Sequence, residues 1–397
     1  MSVRQALLGT SALMAGGAAA GAANADDGVN LELGGRYAAA AGWNIQEDFY
    51  PGAGIEGAPR AVAFRQDVEV FFLGETTLDN GLRVGAHIRL EGQQSGDQMD
   101  EVWAFFNGGF GEIRFGDDED AAEQLAYGIP TATNIFGVDS PYFSFSNAWA
   151  NGLGLGTGFT YLKMSDNATK IIYFAPTFGG FTFALSYAPD RRGEDCYFGF
   201  TSGTACGSSA PGGTTYANNR GQMSEVVSGA LNYEGDFDSF TLFAGVGGSY
   251  GEWERPGFVT DGVTTTYGDT TAWGVRGHLQ AAIGNWYIGG SMVYRKNGFY
   301  AGSTPSQGEE VNLLFGGLGV TYNWDAWTVG TSWAHGNVDN WGGKGQDATL
   351  DIIRIEGRYD LAPGISLDAS TGWDSWDADS QPDYSAWSLA TGFYIAF

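Results

Sequence analysis

Ala386-Trp-Ser-Leu-Ala-Thr-Gly-Phe-Tyr-Ile-Ala-Phe397 closes the chain, and its side chains sort by parity. Trp387, Leu389, Phe393, Ile395 and Phe397 fall on one face; Ala386, Ser388, Ala390, Gly392 and Ala396 fall on the other. Successive side chains of an extended strand point to opposite sides. A bulky apolar row backed by small and polar residues, sustained to the final residue, suits a strand with hydrocarbon on one side and a watery lumen on the other. It predicts an all-β fold, a transmembrane antiparallel β-barrel.

The same two-faced pattern recurs upstream. Leu82, Val84, Ala86, Ile88 and Leu90 share one face of a segment whose other face carries Arg83, His87, Arg89 and Glu91. Trp273, Val275, Leu279 and Ile283 alternate with Arg276, His278 and Gln280, and Ile353, Ile355 and Tyr359 with Arg354, Glu356 and Arg358. Charge on every second residue is too costly for a dry core, so these faces are expected to line a wet interior. Alternation and turn residues together give about sixteen strands, from Gly28–Trp43 to Tyr384–Phe397.

The connections sort by length. Leu78-Asp-Asn-Gly81, Ile283-Gly-Asn285, Trp324-Asp-Ala-Trp327 and Ala362-Pro-Gly364 are tight turns, whereas 252–269, 296–308 and 374–383 are long links. Short turns at one rim and long loops at the other describe an outer-membrane barrel. Trp43, Trp286, Tyr287, Trp324, Trp327, Trp373, Tyr394 and Phe397 stand where strands meet turns, as two interfacial girdles would require.

Met1 to Ala25 has a basic start at Arg4, small apolar residues and an Ala23-Asn-Ala25 cleavage site, so residues 1–25 read as a secretory signal peptide and 26–397 as the barrel. The net charge of −27 argues against nucleic-acid partners, since phosphate contacts need an excess of Lys and Arg. Aromatic residues at 15% argue against acidic disorder. Cys196 and Cys206 lie close together in a polar, Gly-rich stretch and are expected to form a local disulfide after export. The three His, at 87, 278 and 335, assemble no lipase-like site with Ser on a lipid face, so no enzyme is expected.

Gly34-Gly-Arg-Tyr37, Phe110-Gly-Glu-Ile-Arg-Phe-Gly116 and the terminal Gly392-Phe-Tyr-Ile-Ala-Phe397 resemble segments of the general porins of Gram-negative outer membranes, most nearly the alphaproteobacterial type. The resemblance implies a homotrimer in outer-membrane lipid, with a third loop folded inward to narrow the lumen. The link 117–167 matches that loop in position and is the longest in the chain. Its Phe136, Tyr142, Phe143, Phe145 and Trp149 are expected to pack on the inner wall. Asp117, Asp118, Glu119, Asp120, Glu123 and Asp139 are expected to face water as the acidic side of a constriction.

Arg36, Arg65, Arg83, Arg89 and Arg114 are the candidate basic wall opposite, giving a field across the lumen that sieves by size and charge. The competing reading pairs each Arg with a neighbour such as Glu32, Asp67, Glu69 or Glu112. Family members commonly carry a base after the Gly at 116, where this chain has Asp117-Asp-Glu-Asp120, so a mild cation preference is expected. Asp117, Asp118 and Asp120 also offer oxygens to calcium, at a spacing other than an EF-hand's; no other cofactor is expected.

The function expected is passive diffusion of small hydrophilic solutes and ions. Alternatives are a substrate-selective channel of the same fold and a non-conducting barrel adhesin.

Overall fold

The computed structural model describes residues 28–46, 61–92, 98–140, 160–191, 223–253, 257–260, 263–266, 271–297, 311–339, 347–379 and 384–397. Cys196 and Cys206, together with Tyr142, Phe143, Phe145 and Trp149, lie outside the described residues.

The first half of the chain supplies β1 (Asn30–Gln46), β2 (Val62–Thr77), β3 (Arg83–Glu91), β4 (Met99–Gly108), β5 (Gly111–Asp117), the one-turn helix α1 (Ala121–Gln124), β6 (Thr169–Phe174) and β7 (Phe181–Asp190). It continues through β8 (Met223–Phe237), β9 (Phe240–Trp253), β10 (Gly257–Thr260), β11 (Val263–Thr266), β12 (Thr271–Ile283) and β13 (Trp286–Lys296). The last five are β14 (Asn312–Trp324), β15 (Trp327–Asp339), β16 (Ala348–Ala362), β17 (Ile365–Ala378) and β18 (Tyr384–Ala396). All but β10 and β11 join one closed antiparallel barrel of sixteen strands. Those two form a separate hairpin within the long link between β9 and β12, which strand periodicity did not announce.

Closure falls to the C-terminal segment, 386–397. β18 pairs with β1 from Arg36 opposite Ala396 to Gln46 opposite Ala386. Phe397 extends the ladder by exchanging backbone hydrogen bonds of 2.9 and 3.1 Å with Gly35. A closed ladder leaves no edge amides facing hydrocarbon, where an unpaired backbone group costs several kcal/mol.

Parity places the two faces as the sequence predicts. Leu279 is 62% exposed on the outside while its neighbour Gln280 is 2% exposed on the inside. Trp286–Tyr322, Trp324–Trp327 and Trp327–Tyr359 ring contacts (centroids 4.7, 6.3 and 4.7 Å) form a belt at the short-turn rim. Tyr287 and Tyr394 depart from the expected girdles. Parity turns both inward, where Tyr287 is buried beside Ala282 and Phe243, and Tyr394 packs against the cluster of Ala38, Ala40, Ile135, Phe136 and Ala390.

Candidate functional site

The inner faces expected to be wet are in large part covered. Residues 118–136 run along the inside of the barrel from β5 to β1, and the wall is built to receive them. α1 opens this run: Asp120 caps it, accepting from the amides of Glu123 and Met164 and from the Ser228 hydroxyl at 3.3, 3.0 and 2.8 Å. Ser186 and Ser228 accept from the next two helix amides, of Ala121 and Ala122, both at 3.0 Å. The orphan N–H groups of a helix start are thus met by strand side chains.

Further along, Asn232 donates to the Leu125 carbonyl at 2.6 Å, and Arg276 to those of Tyr127 and Thr160 at 2.8 and 3.0 Å. Gln280 donates to Gly128 at 2.5 Å. Glu356 accepts from Thr131 and from the Ala132 amide at 2.6 and 2.8 Å, and Asp368 from the Asn134 amide at 2.7 Å. β8, β12, β16 and β17 therefore spend their inward polar residues on loop backbone.

Inward glycines make the space. A Cβ at Gly317 would stand 2.7 Å from Ile129, at Gly330 3.2 Å from Ala132, and at Gly392 3.0 Å from Ile135; one at Gly319 would strike the Pro130 carbonyl. Gly247 meets Ala122 and Gly274 meets Leu162 in the same way. Ile135 and Phe136 end the run on Ala38, Ala40 and Ala390.

The expected acidic face divides. Asp118, Asp120 and Glu123 do not face water but are buried in the seam between loop and wall, and Asp139 is half-buried there. Asp139 closes the loop on itself, accepting from the Ile129 amide and the Thr160 hydroxyl, both at 2.7 Å. Burial holds the carboxyls of Asp120, Glu123 and Asp139 above their ordinary range, Glu123 well above it despite Lys163 at 2.6 Å. Hydrogen-bonding capacity decides this, because a carboxylate is the residue that can gather several loop amides at once.

Asp117 engages Thr169, and Asp118 receives Arg114 at 3.1 Å; Glu119 stays half-buried, 3.7 Å from Lys163. Among the described residues no group of three or more His, Cys, Asp or Glu is arranged to hold a metal ion. Asp117, Asp118 and Asp120 instead engage Thr169, Arg114 and Ser228. Lys170, buried on β6, donates to the carbonyls of Asp118 and Asp166, tying the loop's departure to its return.

The basic wall is not a bare row of arginines. Arg36 pairs with Asp67 at 2.9 Å and with Glu69. Arg89 meets Glu69 at 2.8, Asp100 at 3.0 and Glu101 at 2.6 Å. Arg114 lies 2.7 Å from Glu112 and stacks its guanidinium 4.2 Å above the Trp103 ring. Arg65 faces inward and is exposed, opposite Ala40 in the register. Arg83 stands apart, beside the short turn with Glu75 at 3.5 Å, and joins no constriction.

Sequence reasoning missed Asp100, Glu101, Lys163 and Lys170. Asp100 and Glu101 are adjacent, so parity admits only one of them to the lumen. A bulge overrides parity: Arg89 pairs with Glu101 and Leu90 with Met99, leaving Asp100 as the extra residue, and both carboxylates reach one guanidinium. The resulting patch on β1–β5 has more acids than bases, and its charges stay partly open, with Arg89 and Asp100 side chains each 18% exposed.

A family model described as Gram-negative porin matches residues 9–379. No curated protein matches the chain. Among solved structures it is similar to Salmonella typhi OmpF in complex with daunomycin, at 15% identity and TM-score 0.60 over 94% of this chain and 99% of that one. It is similar to the trimer form of in-vitro folded OmpT of Vibrio cholerae, at 13% identity and TM-score 0.56 over 94% and 100%. It is also similar to an anion-selective porin from Comamonas acidovorans, at 15% identity and TM-score 0.55 over 93% and 100%. These identities speak to fold alone, and the alphaproteobacterial subtype finds no support in them.

Proposed function

The chain belongs to the Gram-negative porin family and is an outer-membrane β-barrel channel; from that premise we propose that it passes small hydrophilic solutes and ions by passive diffusion, with a mild preference for cations. The observation that carries this reading is the contrast between the two halves of the inner wall. On β8, β12, β16 and β17 inward polar residues hold loop backbone, Glu356 and Asp368 at 3% and 1% exposure, while Arg354 pairs with Asp374 within the wall. On β1–β5 Asp67, Arg89, Asp100, Glu112 and Arg114 stay partly open above the buried Glu69 and Glu101, so the water path lies between that wall and the free edge of the 118–139 segment.

Acids outnumber bases on this side: Asp67, Glu69, Asp100, Glu101 and Glu112 against Arg36, Arg65, Arg89 and Arg114, before Asp117 and Glu119 of the loop, the latter beside Lys163, are added. The field expected across the lumen is replaced by an interlaced patch of both signs with a carboxylate excess. Such a patch concentrates cations locally while still admitting neutral solutes. The anion-selective porin of similar fold is a reminder that side chains, not the barrel, set the sign.

A homotrimer fits the outer surface. On the outer face of β18 and β1–β4, Thr391, Ala39, Gln66, Gly74, Ala86 and Ala104 form a strip of small and polar residues between exposed bulky ones such as Phe64, Phe72 and Leu389. Close approach of a second copy suits small residues better than acyl chains do.

Reversal potentials in a salt gradient across a planar bilayer test the selectivity. The expected sign is cation preference, weakening as salt screens the patch. Anion preference would contradict the reading.

A further inference from the structure

On the outer face of β15–β17 the register stacks two unlike rows. Trp333 stands opposite Ile353, and Ile353 opposite Trp373, which in turn faces Trp387 of β18. Immediately above lie His335, Asp351 and Ser375, paired in the same way. Above those come Asn337, Thr349 and Asp377.

The level of the polar rows follows from strand length. Trp327 belongs to the belt at the short-turn rim, and Trp327 to His335 is nine residues counted inclusively. A tilted strand crosses the hydrocarbon in about 9–11 residues. His335, Asp351 and Ser375 therefore stand at the headgroup level of the outer leaflet.

The three residues nearest the boundary are already organised. Asp351 lies 3.0 Å from Nδ1 of His335 and accepts from Nε1 of Trp333 at 3.2 Å, while the Trp333 and His335 rings lie nearly parallel, 22° apart with centroids at 6.3 Å. All three remain accessible on the lipid-facing side, with the His335 and Asp351 side chains 42% and 32% exposed. Beneath them, exposed Ile353 and Ile355 border Gly357, beyond which is open space.

We propose that this surface binds an outer-leaflet glycolipid, its sugar headgroup on Trp333, His335 and Asp351 and an acyl chain along Ile353, Ile355 and Gly357. The chemistry selects sugar over phosphate. The arginines of these strands, Arg354 and Arg358, turn inward, and among the described residues β15–β17 offer no Lys or Arg on this face. What they do offer is an indole face for the apolar side of a sugar ring, with carboxylate, imidazole, amide and hydroxyl groups for its hydroxyls. The change from apolar to polar across one residue row matches an amphiphile rather than a free saccharide.

The test reconstitutes the mature channel in phosphatidylcholine nanodiscs containing digalactosyl diacylglycerol and measures, by mass spectrometry, the lipid that stays bound after detergent extraction. The wild type is expected to be enriched in galactolipid over phosphatidylcholine. Trp333→Leu and Asp351→Ala are each expected to lower that enrichment about tenfold, the scale of one good contact. Should Asp351→Ala misfold, Ser375→Ala and Trp333→Leu, on two other strands, read the same quantity, with unit conductance reporting an intact barrel. Enrichment unchanged in the variants would overturn the proposal. So would equal retention of phosphatidylglycerol, which would mean charge rather than sugar recognition, or full displacement by free galactose, which would remove the lipid from the assignment.

Discussion

At the scale of single residues, the lumen is governed by which polar groups have partners. Arg89 is the one guanidinium shared by Glu69, Asp100 and Glu101, so Arg89→Gln leaves Asp100 and Glu101 without it beside the water path and Glu69 to Arg36 alone. The expected outcome is a cation-to-anion permeability ratio severalfold above wild type, read from reversal potentials, and a lower denaturation temperature. Removing one partner of a buried pair costs about 3–5 kcal/mol, and the partial exposure here puts the loss below that range. A ratio unchanged or shifted toward anions would show that Arg89 does not face the permeating ions. Arg89 itself was legible as an inward residue from Leu82–Leu90 parity, but Asp100 was not, because a bulge consumes one residue and inverts the count that parity relies on. The seam roles of Asp120, Glu123 and Asp139 were equally hidden: a run of acids reads as solvated until the amides it serves are known.

At the scale of the element, the loop is a fixed lining. Glycines across β9, β12, β14, β15 and β18 receive it, and strand carboxylates and amides hold its backbone. Gly319→Val would drive a side chain into the Pro130 carbonyl, so the loop must lift from the wall. Single-channel recordings are expected to show altered conductance and more open-channel noise, whereas Gly357→Val, with open space beyond its Cα, should conduct as wild type. Identical recordings for both variants would deny the groove its role. The seam also has a pH dependence of known sign. The Glu123 carboxyl is held above its ordinary range by burial, so its contribution to docking is complete below about pH 4 and is lost as pH rises through the raised value. Protection factors of the Ala121 and Ala122 amides should therefore fall from acid toward alkaline pH; a rise would reverse the assignment. The strands of this wall could be read from alternation within a few residues. The groove could not, because an inward glycine looks the same in sequence whether it faces water or a neighbouring backbone.

At the scale of the whole molecule, two-faced strands, a closed ladder and an aromatic belt together make a membrane channel, and most of that was visible in the sequence. The final twelve residues carried both the parity and, through Phe397 and Gly35, the seam that closes the barrel. What the pattern left open is how much of the enclosed space stays wet, since a covered inner charge and an exposed one share the same parity. The proposed water path runs along β1–β5, between partly open ion pairs and the loop's free edge. Unit conductance of the purified mature protein in a planar bilayer, measured for Ala38→Cys and Asp67→Cys before and after a water-soluble thiol reagent, tests this most directly. Asp67 borders the proposed path and Ala38 lies under Ile135, so modification should lower conductance at position 67 and leave position 38 unreacted. Block through position 38 with none through position 67, or no discrete conductance at all from a folded barrel, would contradict it.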